Sequence, residues 1–112
     1  IDLANVVALR SSPAVSSGHV SALITGRAPK VTFDPETVTV TTKDFIGLMK
    51  AGTAFALSAN LGSAQGNTIA ISCPKLVISD LKEGNRAGIL TDQITAIAAM
   101  NSGDDEISIQ LT

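Results

Sequence analysis

The chain has no tryptophan and no tyrosine, and only three phenylalanines among 112 residues. Nucleic-acid bases are commonly held on aromatic platforms, and this sequence has almost nothing to stack them on. Its core must therefore come from Val, Ile, Leu and Ala. A single cysteine, Cys73, excludes an internal disulfide, which fits a reducing compartment better than a stapled secreted domain. Cys73 follows an apolar run and precedes Pro74, so it reads as a small buried hydrophobe rather than a reactive thiol. Charge is also scarce: 16% of residues are charged, against roughly 25% in ordinary domains. The net charge is −2 with no basic run, which disfavours binding to phosphate backbones. No stretch approaches the roughly 20 apolar residues that span a membrane, and no signal-peptide pattern is present.

What remains is a chain of single-domain size, 45% hydrophobic and able to build a core without staples. So low a charge points to surface hidden against copies of the same chain. The sequence begins at Ile1 rather than Met, and residues 1–112 are read as a single β domain, a fragment of a longer protein.

Period-two alternation dominates the chain. Val20, Ala22 and Ile24 alternate with Ser21, Leu23 and Thr25; Val31 and Phe33 flank Thr32; Val38 and Val40 alternate with Thr37, Thr39 and Thr41. Phe55, Leu57, Ala59 and Leu61 share one parity, Ile69, Ile71 and Cys73 another run, and Ile107, Ile109 and Leu111 the last. Loops are expected at Ser11–Gly18, Gly26–Pro29, Asp34–Glu36, Gly62–Asn67, Lys82–Gly88 and Asn101–Asp105. Turn signals spaced by roughly 8–12 residues predict a mainly β fold, an antiparallel sandwich or partial barrel.

One segment breaks the period. In "TTKDFIGLMKAG", Phe45, Ile46, Leu48 and Met49 recur at helical spacing, Thr41 and Asp44 resemble a capping pair, and Gly52 is placed to stop the helix. A short flanking helix is predicted near Thr42–Lys50. Gly88–Met100 fits two patterns: Leu90, Ile94 and Ile97 suit a helix, whereas Ile94, Ala96, Ala98 and Met100 suit a strand. Its strand neighbours and hairpin-like turn spacing favour the strand.

Candidate chemistry is thin. Asp104, Asp105 and Glu106 stand in a row before the last alternating run. A calcium loop spaces its oxygen ligands along 12 residues, and paired glycosidase carboxylates come from separate elements. In an extended chain Asp105 points oppositely to Asp104 and Glu106, so an acidic turn leading into a strand is expected, with no metal, cofactor or catalytic residue. Ser16, His19 and Asp34 could be drawn as a triad, but no nucleophile elbow of the G-x-S-x-G type exists, and His19 reads as an exposed loop residue. "GSAQGN" lacks the spacing and lysine of a phosphate cradle. Lys82, Glu83 and Arg86 read as a solvated loop, or as a loop reaching a neighbouring subunit.

The order "GHVSALITGRAPKVTFDPE", then "GNTIAISCPKLVISD", a Gly-containing loop, and "GDDEISIQLT" resembles the C-terminal part of the tail tube (major tail) proteins of long-tailed phages and prophages. The resemblance runs roughly from Gly18 to Thr112. It implies a non-enzymatic structural protein of the virion tail, made in the host bacterial cytoplasm. Its copies would form hexameric rings that stack with other tail proteins into a DNA-conducting tube, without sequence-specific nucleic-acid binding or membrane contact. A mildly negative wall, to which the acidic turn would contribute, lets DNA slide. The alternatives from the residues alone are an Ig-like surface decoration or adhesion domain, monomeric and binding through its loops, and a small enzyme or metal-binding domain.

Overall fold

The computed structural model describes all 112 residues. The fold is mainly antiparallel β, with seven strands and one short helix: β1 Val6–Ser11, β2 His19–Gly26, β3 Lys30–Phe33, α1 Phe45–Ala51, β4 Phe55–Leu61, β5 Ile69–Arg86, β6 Ile89–Ala98 and β7 Ser108–Leu111. Strands β3-β6-β5-β4 form one open sheet, with β7 also paired to β5, and β1-β2 form a separate two-stranded ribbon. No barrel closes.

Strand β5 organises the sheet. Its first half, from Ile69, lies between β4 and β7, and its second half pairs with β6 up to Arg86 opposite Ile89. Two register shifts interrupt it, opposite Phe55/Leu57 and at Ile78/Asp80. A bulge adds a residue to one strand and reverses which parity faces inward. Consequently Ile71 and Cys73 face the core at odd positions, and Leu76 and Ile78 at even ones.

The expected loop at Lys82–Gly88 is corrected: strand pairing continues to Arg86, and the turn is only Ala87–Gly88. Both turn residues have positive φ, 53° and 90°, the combination that matches the twist of a tight hairpin. The Asn85 side chain accepts a hydrogen bond from Gly88 N at 2.9 Å. Polar composition suggested a loop, but edge-exposed strand residues are also polar. Gly88–Met100 is a strand as expected, covering Ile89–Ala98.

The expected strand at Val38–Val40 does not form. After a lone bridge between Glu36 and Thr91, Thr39 O accepts from Thr42 N and Lys43 N at 2.8 and 3.1 Å. The Thr39 hydroxyl also lies 3.0 and 3.1 Å from those of Thr41 and Thr42. Local hydroxyl and turn bonds have replaced a ladder here. The helix then starts at Phe45, not Thr42. Asp44 is itself the N-cap, accepting from Gly47 N at 2.7 Å, so Thr41 and Asp44 are not a capping pair. Gly52 ends the helix in the left-handed conformation, as expected.

The core is small. Val31, Cys73, Leu76, Ala96 and Ala98 are buried together, with Phe33, Phe55, Leu57, Ile71 and Ile107 packed around them. All three phenylalanines meet: Phe33 stands edge-on to Phe45 and to Phe55, with centroids 6.4 and 6.5 Å apart. The Lys43 ammonium lies 5.9 and 5.8 Å from the Phe45 and Phe55 rings. This cluster links the helix to the sheet. Only nine residues of the chain are buried.

Candidate assembly surface

The first candidate surface is the ribbon. Val7 pairs with Ile24 and Leu9 with Ala22. Cross-strand partners share a face and alternate residues return to it, so Val7, Leu9, Val20, Ala22 and Ile24 form one continuous apolar face. Val7, Leu9, Val20 and Ile24 remain 50–63% exposed. The opposite face carries Ala8, Leu23, Arg10 and Ser21. Neither strand packs against any other strand or helix. A free two-stranded ribbon is at best marginally stable in water.

The base of the ribbon, by contrast, is fixed. Asp2 and Lys30 exchange backbone hydrogen bonds at 2.9 and 2.7 Å. Arg27, one residue beyond β2, forms an ion pair with Asp104 and lies 4.0 Å from Glu106. The acidic triplet is therefore split among different tasks. Asp105 turns back into its own loop, where its carboxylate accepts from Asn101 N at 2.9 Å and Ser102 N at 3.0 Å. The Asn101 amide, then the Ser102 amide, holds its pKa below the ordinary aspartate value. Asp104 follows Gly103, and both have positive φ, which aims the Asp104 carboxylate outward to Arg27. No three His, Cys, Asp or Glu side chains converge where a metal ion could be held.

The second candidate surface lies at the far end of the main sheet. Leu61, Ile69 and Leu111 are aligned across β4, β5 and β7, and Ala59, Ile71 and Ile109 form the next row on the same face. Ile71 packs against the core, so these rows continue the core face beyond its cover. Leu61, Ile109 and Leu111 are 56%, 56% and 74% exposed. A shallow concavity of about 300 Å³ adjoins them, lined by Asn67, Thr68, Ile69 and Leu111 among others. The other face of the same strands is polar and uncharged: Ser58, Ser72 and Ser108 in one row, Asn60, Ala70 and Gln110 in the next.

The remaining sequence candidates are dispersed. Asp34 is paired with Arg86 at 3.2 Å, and His19 is exposed, its carbonyl accepting from the Ser17 hydroxyl; Ser16, His19 and Asp34 form no hydrogen-bonded triad. Arg86 also reaches Glu36 at 3.8 Å. Lys82 pairs with Asp80 at 2.9 Å, and this hydrogen-bonded carboxylate raises the pKa of the ammonium. Cys73 is fully buried, and burial pushes its thiol pKa up. No helix is long and apolar enough to cross a membrane.

β1 escaped the sequence reading because "VVALR" is apolar on both faces and so does not alternate. The exposed end rows of the sheet escaped it because alternation marks an apolar face without showing whether anything covers it.

No protein-family model, no curated protein and no solved structure matches the chain.

Proposed function

We propose that this chain is a structural assembly subunit, and specifically the tail tube subunit of a long-tailed phage or prophage. In this reading its copies join into hexameric rings that stack, with other tail proteins, into the DNA-conducting tube of the virion tail. It is not an enzyme.

The observation that carries the reading is the expanded, uncovered shape of the single chain. Its radius of gyration is 18.6 Å, where a compact domain of this length has about 13 Å. Its accessible surface is 7658 Å², where a compact monomer of this mass exposes ~5,800 Å². Twenty large apolar side chains stand exposed, and those of the ribbon and of the sheet end lie side by side, the contiguous arrangement that marks an interaction surface. An Ig-like decoration domain acting alone would leave all of them in water. The uncharged Ser, Asn and Gln rows also suit a tube wall, because without lysine or arginine they have no hold on DNA phosphates.

Electron microscopy of the full-length protein tests the reading. Rings or stacked tubes with an axial channel are the expected result, and dispersed single particles at high concentration would contradict it.

A further inference from the structure

Resting on the reading that copies of this chain assemble, we infer that the contact between copies is head-to-tail. The apolar face of one copy's β1-β2 ribbon (Val7, Leu9, Val20 and Ile24) seats on the uncovered rows Leu61–Ile69–Leu111 and Ile109 of the next copy.

Both halves of this contact are present in every chain, and neither is used within it. The ribbon packs on no other element, and the end rows continue the core face without a cover. Their chemistry matches: neither surface contains a charged side chain, and both are made of branched aliphatics. Their sizes match as well. Three strands span about 10 Å between the outermost backbones, and a two-stranded ribbon, about 5 Å wide and 20–25 Å long, can lie over them.

The area also fits. The chain exposes about 1,900 Å² more than a compact monomer of its mass. A subunit with one neighbour on each side buries about 800 Å² in each of two standard interfaces. A donor surface and a different acceptor surface on the same chain make a heterologous contact, which closes into a ring or propagates as a filament. The fixed base suits the donor role: the Asp2–Lys30 backbone pair and the Arg27–Asp104 ion pair hold the ribbon's root while its apolar face stays free.

The test is a mixed cross-link in the full-length protein. Leu9→Cys and Leu111→Cys variants are purified reduced, mixed and oxidised; buried Cys73 stays out of the reaction. The expected product is a covalent dimer joining the two variants, far more abundant than from Leu9→Cys mixed with Val40→Cys. Separately, Leu9→Lys with Ile24→Lys should abolish assembly while leaving the thermal transition of the core in place.

An assembled parent that gives no 9–111 cross-link and tolerates the lysine pair overturns this contact but leaves the assembly reading standing. A parent that stays monomeric at every concentration overturns both. A Leu9→Cys/Leu111→Cys double variant that closes within one chain at high dilution shows the ribbon folding back on its own sheet, and also overturns the contact.

Discussion

Val7 lies opposite Ile24 on a ribbon that touches no other strand or helix of its own chain. Leu76, in contrast, is fully buried at the junction of β4, β5 and β6. The same chemical change should therefore have very unequal consequences in the two places. Leu76→Ala should cost ~2–5 kcal/mol through lost transfer energy and a residual cavity. Leu9→Ala should leave the unfolding free energy of the dispersed chain within about 0.5 kcal/mol of the parent, as for exposed sites generally. Urea unfolding below the assembly concentration makes the comparison.

Phe33 couples the helix to the sheet through its edge-on contacts with Phe45 and Phe55. Such pairs are worth ~0.5–1.5 kcal/mol beyond area burial. Phe33→Leu and Phe45→Leu should each destabilise, and the double variant should lose less than the sum by about 1 kcal/mol. Strict additivity in a double-mutant cycle would mean that the helix is not held by this contact.

Asp105 gives a pH prediction. Its pKa is lowered in the folded state by the Asn101 and Ser102 amides. A carboxylate with a depressed folded pKa contributes stability that is fully present above its unfolded value of about 3.9 and is lost as pH falls through the lower, folded value. Asp105→Asn should lower the melting temperature at neutral pH and flatten the acid limb of the stability profile. Asp104→Asn should do less, since it removes only an exposed pair with Arg27, worth ~0.2–1 kcal/mol. Millimolar calcium should shift the parent and the Asp104→Asn/Asp105→Asn variant equally. A calcium-dependent rise confined to the parent would instead reveal a bound ion, because a ligand of the native state stabilises by mass action.

Much of this fold can be read from the sequence, and the failures have physical causes. The alternation of Phe55–Leu61 and Ile69–Cys73, the β character of Ile89–Ala98 and the Gly52 helix stop all follow from side-chain period and glycine conformation. The Val38–Val40 strand fails because alternation records an apolar face, whereas the backbone of this segment is taken up by threonine turn bonds. The acidic turn illustrates a different limit. Three adjacent carboxylates read as one solvated cluster, and only the positive φ of Gly103 and Asp104 separates an inward Asp105 from an outward Asp104. The ribbon is half legible: β2 follows from the alternation of Val20, Ala22 and Ile24, whereas β1, apolar at each position from Val6 to Leu9, carries no period there.

Cys73 supplies an internal probe of opening. It is fully buried, and burial keeps its thiol protonated and hence unreactive. An aromatic disulfide reagent should label it only as fast as the core opens, and Leu76→Ala should accelerate labelling in proportion to the lost stability. Rapid labelling of the native parent would mean that the β4-β5 core is open.

Sedimentation velocity of the full-length protein over a wide concentration range tests the central claim most directly. A subunit with this much uncovered apolar surface should sediment as discrete multiples of the chain, shifting to larger species as concentration rises. A single monomeric boundary at every concentration would contradict it.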